Sequence, residues 1–261
     1  MNDFRERKAK QRLVIKLGSS TLTAGTERIS RGKIEDISRQ IVSLQEDYEI
    51  ILVSSGAIAA ARHNIAVNHW QMLESKQAMA AIGQPLLLHI YQEVFRDFDI
   101  RSAQCLLTYR DFSNPIAEKN TRNTLNDLLA HGYLPIVNEN DTVATEEIEF
   151  GDNDKLSAYV ADLLQADILM LASDIDGLFT ANPHENSDAE FISEVSDLVV
   201  ARKMIDERDS DIGTGGMTSK LQAAEICQQA GIEMWIVNGG RANFITDAIS
   251  GARRCTRFKF S

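Results

Sequence analysis

Cysteine is scarce in this chain of 261 residues, and its three copies stand far apart, at Cys105, Cys227 and Cys255. The odd count excludes a fully paired disulfide framework, and the wide spacing excludes a zinc site of paired thiolates. Proline is nearly as rare. Pro85, Pro115, Pro135 and Pro183 are scattered, so no proline-rich linker marks a domain boundary. The five histidines have no metal-ligand spacing. No apolar run approaches the ~20 residues that a membrane helix needs. The first twelve residues are charged, with Arg5-Glu6-Arg7-Lys8, and lack the hydrophobic stretch of a secretory leader. These absences lead us to expect a cytoplasmic protein with no membrane partner. Positive charge is also in deficit: 27 Lys and Arg against 38 Asp and Glu leave a net charge of −11. Such a field repels phosphate backbones, so no nucleic-acid partner is expected, and any phosphate-binding lysine has to be a local exception.

What is present is a regular alternation. Apolar content of 44% and charged content of 25% are ordinary for a globular protein long enough to bury a substantial core. Short, continuously apolar runs at 13–17, 50–53, 103–107, 134–137, 168–171 and 233–237 read as strands buried on both faces, as in a parallel sheet. Between them lie helical patterns. One carries Ile34, Ile37, Ile41 and Leu44 behind a candidate N-cap, Ser30; others run over 75–98, 119–130, 153–164, 195–208 and 218–230, the last closed by Gly231. The segment 252–260 alternates and reads as an edge strand. Strand–helix alternation with short connections predicts an α/β fold, a three-layer α/β/α sandwich around a mainly parallel sheet. Residues 1–12 form a charged N-terminal segment, and 13–261 read as one domain.

The densest chemical feature is Gly213-Thr214-Gly215-Gly216-Met217-Thr218-Ser219-Lys220, which runs into an amphipathic helix. Unhindered backbone N–H groups, a helix N-terminus and an ammonium group suit an anion, above all a phosphate. Ser219 before the lysine breaks the Walker A pattern, and Thr218 breaks the dinucleotide fingerprint. A flexible surface loop would have much the same composition. A lysine placed against the helix dipole favours the ligand reading.

Ligands of open parallel sheets bind beyond the carboxyl ends of the strands, and the other polar clusters sit there. Lys16 interrupts the first strand one residue before its end, either to meet an anion or to snorkel to water. Ser55 follows the second strand, as an N-cap or as a hydroxyl offered to a substrate carboxylate. After the fourth come Asn138-Glu139-Asn140-Asp141, then Gly151-Asp152-Asn153-Asp154. Turn propensity explains any one of these residues. Together they supply acceptors for a substrate ammonium and donors for a carboxylate, while Asp154 could instead fix lysines through charge-assisted hydrogen bonds. Ser173-Asp174 opens a longer loop containing Leu178 and Phe179, which could be an ordinary loop or could wrap a nucleotide.

In order along the chain, Val-Ile-Lys-Leu-Gly-Ser-Ser (14–20), Val-Ser-Ser-Gly-Ala-Ile-Ala (53–59), Ser-Lys-Gln-Ala (75–78), Val-Asn-Glu-Asn-Asp (137–141), Phe-Gly-Asp-Asn-Asp (150–154) and the glycine-rich run 213–221 resemble the amino acid kinase family, in particular its members that phosphorylate the side-chain carboxylate of glutamate. The resemblance implies ATP over the C-terminal half of the sheet and glutamate over the N-terminal half. It implies that Lys16 and Lys220 flank the migrating phosphoryl group and that Asp154 holds both lysines. Ser55, Asn138, Asp141 and Asn153 would bind glutamate. Lys16, Ser173, Asp174, Thr214, Gly215, Gly216, Met217, Thr218, Ser219 and Lys220 would bind ATP, with Mg²⁺ carried on its phosphates. Proline as feedback inhibitor, a homo-oligomer and hand-over of product to glutamyl phosphate reductase are further implications. So is the single-domain form, without the C-terminal PUA domain of many relatives. Lys155, where a small polar residue is common, and Asn182, where aspartate precedes the proline, depart from the pattern. Two other readings remain open at this point: another kinase of the same fold, and a nucleotide-sensing module without turnover.

Overall fold

The first strand, β1 (Gln11–Leu17), lies at the centre of an eight-stranded sheet because its apolar residues have helices to meet on both sides. A computed structural model describes residues 10–62, 73–144, 153–180, 188–199, 201–202 and 215–260. After β1 come α1 (Ser19–Thr23), α2 (Arg31–Leu44), β2 (Tyr48–Ser54), α3 (Ala57–Arg62), α4 (Leu73–Arg96) and β3 (Ser102–Leu107). Then follow α5 (Tyr109–Ser113), α6 (Pro115–Ala130), β4 (Leu134–Glu139), α7 (Asn153–Leu163) and β5 (Ile168–Ser173). The short strands β6 (Leu178–Phe179), β7 (Phe191–Ile192) and β8 (Glu194–Val195) precede α8 (Gly215–Ala230), β9 (Glu233–Asn238), α9 (Phe244–Ser250) and β10 (Thr256–Phe258). Sheet order is β3-β4-β2-β1-β5-β9-β10-β8, parallel from β3 through β9. β2, β3 and β4 lie on one side of β1, with β4 between the other two, and the later strands lie on the opposite side, so the order reverses at β1.

The period of two in a strand divides β1 between two cores. Leu13, Ile15 and Leu17 pack with α2, α4 and α9, through Ile37, Ile41, Tyr91, Phe95, Phe244 and Ile245. Val14 packs on the opposite face with Leu156 and Val160 of α7 and Ala224 and Cys227 of α8. Lys16 has the parity of Val14, so its ammonium leaves the sheet on the α7–α8 side. Each fully buried Leu, Ile or Val contributes roughly 1.5–3 kcal/mol, which is why uninterrupted apolar runs settle in the middle of the sheet.

Local chemistry sets the helix ends. Ser30 Oγ accepts from Lys33 N at the start of α2. Asn114 Oδ1 accepts from Ile116 N and Ala117 N at the start of α6, with Pro115 first in the helix, where its missing N–H costs nothing. Gly231, at φ +69°, follows α8 in the left-handed conformation. At Gly83 two helices touch: a Cβ there would lie 1.7 Å from the Ala57 carbonyl oxygen, so only glycine lets α4 lie directly on α3.

Several sequence expectations change, among them the helix expected from residue 119, which begins at Pro115. The segment expected to be an edge strand is penultimate, because β10 pairs antiparallel to β9 and parallel to β8, which takes the edge. Val195, expected to open a helix, belongs to β8, where Lys259 N donates to its carbonyl; the expected helix is present at 198–199 and 201–202, and its residues 200 and 203–208 lie outside the described residues. The last long helix begins at Gly215 rather than Thr218, so Gly215, Gly216 and Met217 form its first turn.

Candidate active site

The carboxyl end of β1 gathers its neighbours because parallel pairing places their ends side by side. Leu17 pairs with Ser54 on one side and Ala172 on the other. One residue further, Ser55 N donates to Leu17 O at 2.9 Å, and Ser173, the residue after Ala172, pairs with Asn238 of β9. This reversal of strand order is where open α/β sheets place their ligands.

On the α7–α8 face, Lys16 Nζ lies 2.6 Å from Asp154 Oδ1, and Lys220 Nζ lies 3.1 Å from Asp154 Oδ2. Three distant segments thus meet on one carboxylate: the penultimate residue of β1, the first turn of α7 and the second turn of α8. Ser219 Oγ also donates to Asp154 Oδ2 at 3.1 Å, and Lys220 Nζ donates to Gly216 O at 3.0 Å. Asp154 is 3% exposed, against 12% for the Lys16 side chain and 11% for that of Lys220. The anion is therefore sealed, while both lysine side chains keep some exposure. Burial pushes the Asp154 carboxyl upward, but the Lys16 and Lys220 charges outweigh it and hold the group below its ordinary value of 3.8. One carboxylate against two ammonium groups leaves a local surplus of one positive charge in a chain of net charge −11.

On the β4 side a chain of amides leads to Ser55. Asn153 Nδ2 donates to Ser55 Oγ at 2.8 Å and to Asn138 Oδ1 at 3.0 Å. Asn138 Nδ2 donates in turn to Gln84 Oε1 at 2.7 Å. Ser55 Oγ is therefore an acceptor in this chain of amides. Asp141 lies three residues beyond Asn138, half-buried in the turn after β4, whose last described residue, Ala144, has its carbonyl held by Gln77 Nε2 at 3.2 Å.

Toward β9, Ser173 Oγ donates to the exposed Asp174 at 3.1 Å, and its carbonyl accepts from Gly239 N at 2.8 Å. The loop beyond is tied to the C-terminal strand. Thr256 Oγ1 accepts from Leu178 N at 2.7 Å and donates to Ile192 O at 2.6 Å. Asp176 takes Asn238 Nδ2 at 2.7 Å and Arg254 at 3.0 Å, and the Arg254 guanidinium lies over Phe179 and Phe191. The Asn238 amide and the Arg254 charge outweigh the opposing effect of burial and hold the Asp176 carboxyl below its ordinary value.

Of the expected site residues, the structure joins Lys16, Asp154, Ser219 and Lys220 directly, and Ser55, Asn138 and Asn153 directly. Ser173 and Asp174 lie at the adjoining strand end, and Gly215, Gly216, Met217 and Thr218 lie in the first turns of α8. Thr214 is outside the described residues. Gln84, Asn238, Arg254 and Thr256 were not anticipated. Each meets its partner across more than fifty residues of sequence, and only the tight Ala-Ile-Gly-Gln run around Gly83 hinted at a close approach. Lys155, one of the two departures from the pattern, packs its ammonium over the Tyr109 ring at 5.4 Å, and Asn182, the other, lies outside the described residues.

The amino acid kinase family profile matches residues 11–238. A glutamate 5-kinase of Sodalis glossinidius is 46% identical over 95% of this chain and 68% of its own length. One of Herpetosiphon aurantiacus is 42% identical over 97% of the chain and 70% of its own length. Among solved structures, UMP kinase from Ureaplasma parvum superposes with a TM-score of 0.70 at 17% identity, covering 97% of this chain and 100% of its own. Carbamate kinase from Giardia lamblia bound to AMP-PNP superposes at 0.68 and 16% identity, covering 97% and 99%. These likenesses establish the fold, and with the profile and the close relatives they establish that the chain belongs to the amino acid kinase family.

Proposed function

We propose that the chain transfers the γ-phosphoryl group of ATP to the side-chain carboxylate of L-glutamate, giving L-glutamyl 5-phosphate and ADP, the first step from glutamate toward proline. The observation that carries this reading is the pair of ammonium groups presented on one buried carboxylate, beside a polar cluster suited to an amino acid. A carboxylate oxygen attacks the γ-phosphorus, and the bond from that phosphorus to the β,γ-bridging oxygen breaks, leaving the electron pair on ADP. The nucleophile is already ionised, so no general base is required. The barrier lies in bringing two anions together, and positioning and positive charge are the means of lowering it. Lys16 and Lys220 supply that charge, and Asp154 prevents the lysines from separating or turning away. The nucleotide enters as its Mg²⁺ complex, a substrate. Ser173, Asp174 and the start of α8 form its side of the site; Ser55, Asn138, Asp141 and Asn153 form the glutamate side. The relatives named glutamate 5-kinase support this substrate, and the neighbour bound to AMP-PNP supports a nucleotide on this fold.

The same amino-acid side suits proline, which keeps the α-carboxylate and the ammonium but has no side-chain carboxylate, so proline competes with glutamate. A homo-oligomer, transfer of the labile product to a reductase and a cytoplasmic location complete the reading. The decisive experiment traps the acyl phosphate with hydroxylamine while glutamate, N-acetylglutamate and aspartate are offered in turn with MgATP, and follows ADP release with UMP. Hydroxamate from glutamate alone supports the proposal. Turnover of UMP, or hydroxamate only from another acid, overturns it.

A further inference from the structure

The amides on the β4 side have only one self-consistent direction. The backbone N–H of Glu139 can only donate, so the Asn138 side-chain atom 2.9 Å away must be its carbonyl oxygen. The other Asn138 atom is then the NH₂ group, and its partner on α4, 2.7 Å away, has to be the Gln84 carbonyl oxygen. Asn138 Oδ1 also faces Asn153, so the Asn153 atom 3.0 Å away is its NH₂, which spends its second proton on Ser55 Oγ at 2.8 Å. Two groups remain for a ligand. Ser55 accepts in this chain and keeps its hydroxyl proton. Asn153 Oδ1 is buried and takes no hydrogen bond among the described residues. A hydroxyl donor beside an amide acceptor matches the carboxylate and the ammonium of an amino-acid zwitterion.

Gln84 is the far end of this chain, and its position is over-determined. Gly83 next to it lies directly on α3, the helix that follows Ser55, where no side chain fits. Seven residues earlier, and therefore on the same face of α4, Gln77 Nε2 donates to the Ala144 carbonyl, at the other end of the segment that carries Asp141. Asn138 is 2% exposed, so its NH₂ has no water to replace Gln84. An unpaired donor there would drive the amide to rotate or withdraw, and Asn153 and Ser55 would follow.

We propose that Gln84 is a positioning residue for the amino-acid site: by accepting from Asn138 it pairs the NH₂ group left over once Glu139 N has set the amide's polarity, and so holds in place the amide that keeps the Ser55 hydroxyl and the Asn153 carbonyl turned toward the substrate. This deepens the glutamate kinase reading and rests on it. Gln84→Met keeps length and volume but removes the acceptor; Gln84→Glu keeps an acceptor in place. The expected result is that Gln84→Met raises the KM for glutamate roughly tenfold, the usual cost of one buried unpaired donor, with the KM for ATP nearly unchanged. Gln84→Glu recovers most of that loss. Glutarate, which has no ammonium for Asn153, should lose less than glutamate does, so the preference between the two acids narrows in Gln84→Met. If Gln84→Met does not fold, the same comparison is made with Gln84→Asn, which withdraws the amide by one methylene. A wild-type chain that forms no hydroxamate from glutamate removes the functional reading and the proposal with it. With wild-type turnover intact, an unchanged glutamate KM, equal behaviour of the Met and Glu variants, or a parallel rise in both KM values overturns the positioning role alone.

Discussion

Replacing Asp154 by asparagine removes the one anion between two ammonium groups and nearly nothing else. In the native protein the carboxylate is 3% exposed, with Lys16 at 2.6 Å and Lys220 at 3.1 Å. Breaking a buried pair by deleting one partner costs about 3–5 kcal/mol, because the remaining charge stays desolvated. Here both lysines keep a little access to water, which places the expected loss toward the lower end. For a domain of this size, ~3 kcal/mol lowers Tm by on the order of 10 °C. The sign with pH follows from the depressed native pKa. The stabilisation is complete above the ordinary value of 3.8 and is lost as pH falls through the lower native value. The Tm difference between wild type and Asp154→Asn should therefore be constant from pH 7 to about 5 and shrink below about 4. ATP should narrow the gap at neutral pH, because its phosphates offer the two lysines a replacement anion, and kcat should fall by about 10²–10³, the scale seen when one preorganised electrostatic group is lost. Differential scanning calorimetry at several pH values, with and without nucleotide, and steady-state kinetics measure all of this. A variant as stable as wild type at pH 7, with near-normal kcat, would refute the bridge as both a structural and a catalytic device.

Lys220→Ala and Lys16→Ala should each reduce kcat by about 10²–10³ while circular dichroism stays native; normal turnover in either variant removes that lysine from the transition state. Asp141→Ala should raise the KM for glutamate far more than that for ATP, by ~2–5 kcal/mol in binding terms, whereas KM values that move together would make Asp141 a turn residue. Gly83→Ala should cost more than the ~1–3 kcal/mol of ordinary overpacking, since its Cβ meets backbone, 1.7 Å from the Ala57 carbonyl; an unchanged denaturation midpoint contradicts the contact. Thr256→Val should raise the KM for ATP and leave that for glutamate nearly unaltered, because it cuts Leu178 N and Ile192 O loose from the C-terminal strand; isotope exchange at Leu178 checks the loosening directly.

The sequence by itself determined the elements and their chemistry, because those are short-range properties. Uninterrupted apolar runs such as 168–171 can be satisfied only in the middle of a sheet, and Ser30 and Asn114 cap helices with atoms two or three residues away. The polar clusters were equally legible, since Ser55, Asn138 and Ser173 stand where an apolar run stops and Lys16 interrupts one a residue before its end. Local pattern was weakest where an element is short: Val195 and Thr256–Phe258 owe their conformation and rank in the sheet to each other. Only the tertiary structure decided which clusters meet. Lys220 finds Asp154 across 66 residues, Asn138 finds Gln84 across 54, and Leu178 finds Thr256 across 78. No periodicity encodes such pairings. They follow from the reversal of strand order at β1, which brings the carboxyl ends of β2, β1 and β5 side by side, and from the glycine at position 83, which lets two helices approach closely enough for one glutamine to reach across.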